Sequence, residues 1–88
     1  MNVRKPVDYS AVYREFTEIL ARNLPQMDEI YAIGKAVSRR PEKGAAVAAA
    51  EFLQANFPDR TGFSPRNVRR MRDFYWAYEN DQTLDNFG

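Results

Sequence analysis

Residues 62–80, GFSPRNVRRMRDFYWAYEN, contain the clearest helix start in the chain. Ser64 is a residue type that caps helices, Pro65 suits the first helical position, and Phe63 just outside can pack back onto the helix. The apolar residues that follow share one face when each residue turns the helix by about 100°. They are Val68, Met71, Phe74, Tyr75 and Tyr78. The pattern predicts a helix over residues 64–80 whose apolar face contacts the core.

Three further helices are predicted before this segment. Residues 45–56, AAVAAAEFLQAN, are strongly helix-forming, and we expect a helix over residues 44–56. Another is expected over residues 25–39, where Gly34 would let a neighbouring helix approach closely.

The first helix is expected over residues 8–23, with Asp8 as its cap and Pro25 preventing its continuation. We therefore predict an all-α fold, a small four-helix domain over residues 1–80 with a helix-turn-helix-like arrangement of the last two helices. Residues 81–88 are polar and end in glycine, so they are expected to form a flexible C-terminal tail.

The composition argues against most classes of enzyme. The chain has 88 residues, which suits one domain with one core. It contains neither cysteine nor histidine, so thiolate metal sites, the commonest zinc ligand and the usual general base near neutral pH are absent. We expect no catalytic residues, no metal, no cofactor and no small-molecule substrate. Without a signal peptide or a membrane-spanning stretch, a cytoplasmic protein with no membrane contact is expected.

The charges are unevenly distributed along the chain. The segment from Lys35 to Arg72 has nine basic and three acidic residues, a net charge of +6, whereas the remainder has four basic and nine acidic residues, a net charge of −5. A segment this basic in a nearly neutral protein suggests a face that binds a polyanion.

The basic segment includes the start of the predicted last helix. Helix-turn-helix proteins that read DNA typically have one helix, a short glycine-containing turn and a second helix with a basic start. In this interpretation Arg66, Asn67 and Arg70 contact base edges of double-stranded DNA, because arginine pairs with guanine and asparagine with adenine. The residues expected to hold phosphates are Ser64, Arg60, Arg69 and Arg72, extended by Lys35, Arg39, Arg40 and Lys43. A sequence-specific reader of this size would act as a dimer.

Two alternatives remain open at this stage. An arginine-rich helix face is often only a solvated surface. The exposed arginines and Trp76 could instead engage an acidic protein partner or a second copy of the chain, which would make the domain a protein interaction or dimerisation module. Trp76 lies one turn after Arg72, so we expect the two to stack, and we expect the first helix or the tail to bury the indole.

Two segments carry a family resemblance: residues 30–35, IYAIGK, and residues 62–75, GFSPRNVRRMRDFY. With the helices between them they cover about half of the chain. In these segments the chain resembles the N-terminal helical domain of the YhcG-like nuclease family.

The resemblance implies a domain that binds DNA or mediates assembly ahead of a restriction-endonuclease-like domain, in phage-related or mobile-element settings. No segment of the chain resembles the nuclease half, so the implied role is binding, as a regulator or accessory protein of a mobile element. No binding residue of the family is carried over.

Overall fold

The structure is a computed structural model that describes residues 8–40, 42 and 44–85. These residues form four α-helices and contain no β-strand. The helices are α1 (Ser10–Ala21), α2 (Gln26–Ser38), α3 (Gly44–Asn56) and α4 (Pro65–Asp85). The predicted all-α class is confirmed, and α3 has the predicted bounds.

The starts of α1 and α2 differ slightly from the prediction. α1 begins at Ser10, and Tyr9 occupies the cap position that we expected for Asp8. The Asp8 carboxylate still accepts a hydrogen bond from the Ser10 N–H at 2.9 Å, so it fixes the chain just outside the helix. Pro25 lies at the cap of α2 with an extended ψ of 151°, and the first helical residue is therefore Gln26.

The core lies between α1, α2, α3 and the first turns of α4. α3 contributes mainly alanines, and Ala46, Ala49 and Ala50 are at most 2% exposed. Short side chains on α3 leave room for larger residues from the other helices, and burial of these apolar groups is the main force that holds the bundle together. The largest fully buried side chains are Phe16, Ile33, Val37, Leu53 and Val68.

α2 and α4 pack more extensively than any other pair of helices among the described residues. Their backbones approach closely at Gly34, where an added Cβ would lie only 2.1 Å from the Met71 carbonyl oxygen. Only glycine fits there, which confirms the close approach predicted for this residue. This contact fixes the depth at which α4 lies against the bundle.

The second half of α4 is less buried than predicted. Only Val68 of its predicted apolar face is fully buried; Phe74 and Tyr75 are partly exposed, and Tyr78 is 45% exposed. The helix also continues to Asp85, past the predicted end at residue 80, so the expected tail is helical over residues 81–85. Residues 86–88 of that tail lie outside the described residues.

The prediction that α1 or the tail buries Trp76 is wrong for the described residues, because this side chain is 45% exposed. α1 packs against α2 and α3 but makes no contact with α4. The outer face of α4 is therefore open to solvent at this position.

α3 and α4 are adjacent in space, but the connection between them is longer than a helix-turn-helix turn. It comprises residues 57–64, and Gly62 within it has a φ of +87°. A turn of about three or four residues is typical of that motif. The predicted helix-turn-helix-like arrangement of the last two helices therefore stays a prediction.

Candidate nucleic-acid interface

The start of α4 is held firmly by its own cap and by the core. The Ser64 hydroxyl oxygen accepts a hydrogen bond from the Asn67 N–H at 3.1 Å, as the sequence predicts for a cap. Phe63 is 4% exposed and belongs to the core, while its carbonyl accepts a hydrogen bond from the Gln54 side chain at 2.8 Å. Side chains that project from the first turns of α4 therefore start from a fixed backbone.

Three arginines extend from these turns into solvent. Arg66, Arg69 and Arg70 are all exposed, and none of them makes an ion pair with any residue in the described part of the chain. We refer to these three residues as the α4 arginine cluster. They lie near the positive end of the helix dipole, where a further positive charge is mildly unfavourable and a bound anion would relieve the repulsion.

Arg60 has a different environment, although it also precedes α4. Its guanidinium forms a salt bridge with the carboxylate of Glu29 on α2. The Glu29 side chain is only 10% exposed, compared with 42% for Arg60. A buried carboxylate needs a compensating charge, so the first role of Arg60 is to stabilise the fold.

Arg72 lies against Trp76, as predicted. Its guanidinium carbon is 4.8 Å from the centre of the indole ring, and one of its nitrogens is 3.5 Å from the Asp73 carboxylate. The cation–π contact and the ion pair hold the arginine along the helix surface. Arg72 is therefore less available to a phosphate than the α4 arginine cluster.

The basic residues after α2 are also paired. Arg39 forms a 2.6 Å salt bridge with Glu15 of α1, and Arg40 forms one of 3.0 Å with Glu42. The hydrogen bond from Arg40 lowers the pKa of the Glu42 carboxyl, and the resulting charge keeps this arginine engaged. Lys43, also predicted to contact phosphate, lies outside the described residues.

An open groove of about 880 Å³ runs between α2 and the start of α4. Asn67, Arg70 and Arg60 all line it, so the structure brings these three predicted residues together. Arg39 and Lys35 instead line a separate groove between α1 and α2, and Lys35 also borders a second groove along α2 and α4. The predicted binding residues thus divide into a set around the start of α4 and a set at the far end of α2.

A second, more apolar groove of about 560 Å³ continues from the first along α2 and α4. Met27 and Phe74 line both grooves, and Met27 is 58% exposed. Tyr31 donates a hydrogen bond to the Glu79 carboxylate at 3.1 Å, and desolvation together with this bond raises the pKa of the tyrosine. The sequence interpretation did not identify this surface, because it assigned Phe74 and Tyr78 to the core.

The acidic partners were also missed. Glu15 and Glu29 lie 24 and 31 residues from the arginines that they pair with. No local spacing in the sequence indicates such long-range pairs. The one sequence feature that pointed to such pairs was the excess of acidic residues outside the basic segment.

The described residues contain neither a metal-binding cluster of acids nor a membrane-spanning helix. No group of three or more aspartate or glutamate side chains is placed to hold a metal ion. None of the helices there combines the length and the apolar character needed to cross a membrane.

Comparison of the chain with family models, with curated proteins and with solved structures finds no match.

Proposed function

We propose that this chain is a DNA-binding module whose contact surface is the start of α4. The observation that supports the proposal is the α4 arginine cluster: three adjacent exposed arginines without an acidic partner among the described residues. Arg39, Arg40, Arg60 and Arg72 of the same segment, by contrast, each form an ion pair with a carboxylate.

The proposal assigns different roles to the residues around the helix start. Arg69 binds a phosphate, and the Ser64 hydroxyl can donate to a second phosphate oxygen while its own oxygen caps the helix. In the proposal, Arg66, Arg70 and the partly exposed Asn67 contact base edges of duplex DNA. Arg60 has a secondary role, since any phosphate must compete with the buried Glu29 for its charge.

The finer part of the proposal concerns architecture and biological setting. α3 and α4 would act as a helix-turn-helix-like pair with a long connection, and a sequence-specific complex would contain two copies of the chain. The resemblance of residues 62–75 to the YhcG-like family supports a role as a regulator or accessory protein of a mobile element.

A titration with a fluorescent duplex at low salt tests the proposal. We expect the chain to bind, and the double variant Arg69→Ala, Arg70→Ala to bind at least about tenfold more weakly, because each phosphate contact adds affinity. The matched control is Arg14→Ala, Arg22→Ala, which also removes two exposed arginines, here from α1 and the turn after it. Absence of binding at low salt, or an equal loss in the control, would refute the proposal.

A second candidate function is protein binding along the apolar groove of α2 and α4. It is favoured by the exposure of Met27 and Tyr78, which are 58% and 45% exposed and line the same groove. Light scattering and pull-down experiments test it. A stable complex with a protein that Met27→Ser abolishes, together with no DNA binding at all, would favour this candidate over the first.

A further inference from the structure

Trp76 is the single tryptophan of the chain, and it is 45% exposed. A large aromatic side chain in water is informative, because burial of such a ring is among the largest apolar contributions available to a small domain. Among the described residues α1 does not contact α4, and α2 and α3 leave the indole partly open to solvent.

The exposed indole lies in line with two arginines of the same helix. Arg69, Arg72 and Trp76 fall within about 60° of each other around α4, and they follow one another at intervals of about one turn. Met71 and Tyr75, whose contacts with Gly34 and Tyr31 attach α4 to α2, lie about 140° and 100° from Trp76 around the helix. Arg69 and Trp76 are therefore exposed to solvent, whereas the side chain of Arg72, 23% exposed and with a buried Nε, lies at the edge of the packed face.

Arg72 orients the ring. Its guanidinium lies over the indole at 4.8 Å and is itself held by Asp73 at 3.5 Å. An aromatic ring that is already fixed loses little conformational entropy when a second flat group stacks on it.

We propose that Trp76 is a stacking platform for an unpaired base of single-stranded DNA whose phosphates contact Arg69 and its neighbours. The inference rests on the proposed function and names a further ligand class for the same face of α4. In a duplex the faces of the bases are covered by adjacent bases, so this stacking requires a single-stranded or locally unpaired segment.

The surroundings of Trp76 favour a base over an apolar protein surface. Its neighbours on this side of α4 are all polar and include two arginines and two acids: Arg69, Arg72, Asp73, Glu79 and Asn80. Protein interfaces usually surround a tryptophan anchor with further apolar groups. A lone aromatic ring in line with two arginines instead matches the alternation of bases and phosphates along a single strand.

Fluorescence of the single tryptophan gives a direct test in the unmodified chain. An oligothymidylate of about 12 nucleotides is compared with an abasic phosphodiester of the same length, since sites for single strands span about 4–16 nucleotides. We expect the oligothymidylate to quench Trp76 and to bind at least about fivefold more tightly than the abasic strand. Equal affinity for the two strands with no quenching by either would overturn the inference.

Variants separate stacking from the charge contribution. Trp76→Ala should weaken binding of the oligothymidylate by about fivefold or more, while its affinity for a duplex changes less than about twofold. Tyr78→Ala is the matched control, because Tyr78 is equally exposed at 45% but lies on another side of α4. Circular dichroism shows whether each variant is folded, and the fluorescence test on the unmodified chain remains decisive if Trp76→Ala is not.

The outcomes also distinguish this inference from the proposed function. One outcome refutes the stacking platform alone: duplex binding depends on Arg69 and Arg70, but Trp76→Ala has the affinity of the unmodified chain for every strand tested. Failure to bind any nucleic acid at low salt refutes both.

Discussion

Acidic partners divide the basic side chains of this protein into two groups. Arg39 and Arg60 have a carboxylate from another helix as partner, whereas Arg66, Arg69 and Arg70 have none among the described residues. A guanidinium that already pairs with a carboxylate binds a phosphate less favourably, because it must first give up that partner. The choice of residues in the proposed function therefore depends on where the acids lie, which the linear sequence does not show.

Arg60→Gln should lower the free energy of unfolding by about 2 kcal/mol, because it leaves the buried Glu29 without its counter-charge. This loss of stability is smaller than for a fully buried pair, because the Arg60 side chain is 42% exposed. Urea denaturation measures the effect. The double variant Arg60→Gln, Glu29→Gln should recover part of the loss, and Arg66→Gln, at an exposed and unpaired position, should change stability by less than about 0.5 kcal/mol. Strictly additive single-variant effects would argue against the ion pair.

Gly34→Ala should destabilise the fold by about 2 kcal/mol although alanine is the better helix former. The new Cβ would lie 2.1 Å from the Met71 carbonyl oxygen, so α2 and α4 would have to move apart. Gly44→Ala is the control, because an added Cβ there meets nothing closer than the Tyr9 hydroxyl at 3.9 Å. Thermal unfolding of both variants checks the prediction, and equal stabilities would show that the close approach has no energetic consequence.

Among the elements, those with strong local signals were predicted best. The alanine-rich run gave the bounds of α3, and Ser64 with Pro65 gave the start of α4. The end of α4 was missed because residues 81–85 contain neither proline nor glycine, so nothing local stops the helix at residue 80. Exposure of its second half could not be predicted either, since a helical wheel shows which residues share a face but not what covers it.

Ser64→Ala should lower stability by about 1 kcal/mol, because the Asn67 N–H loses its acceptor at the start of α4. Ser64→Asp keeps an acceptor and adds a negative charge near the positive end of the helix dipole, so it should be at least as stable as the unmodified chain. Chemical denaturation of the two variants tests this. If Ser64→Ala left the stability unchanged, the cap would not stabilise the start of α4. The arginines that follow would then not project from a firmly held backbone.

We expect the same two variants to rank in the opposite order for DNA affinity as for stability. Ser64→Asp places a carboxylate beside the α4 arginine cluster, and we expect it to weaken duplex binding, whereas Ser64→Ala retains a neutral surface. Stability and affinity should therefore change in opposite directions between the two variants. Anisotropy titrations at one salt concentration measure the affinities.

On the scale of the whole molecule, a net charge of +1 conceals a separation of charge. α4 alone begins with four arginines between residues 66 and 72 and carries four acidic residues between 73 and 85. Elsewhere on the described surface Arg39, Arg40 and Arg60 lie beside acids, whereas Arg14, Arg22 and Lys35 form no ion pair. Three of the described basic residues without an ion pair, Arg66, Arg69 and Arg70, share the start of α4, where the backbone dipole also favours an anion.

The salt dependence of duplex binding tests this account most directly. The logarithm of the association constant should fall linearly with the logarithm of the salt concentration, with a slope of about −0.9 per phosphate contacted. Replacing Arg66, Arg69 and Arg70 with glutamine should reduce the magnitude of that slope by about 2 to 3. Replacing Arg14, Arg22 and Arg39 with glutamine removes the same charge and should change the slope by less than about 1. Equal changes in the two triple variants, or a slope near zero for the unmodified chain, would contradict the claim that unpaired arginines at the start of α4 form the binding surface.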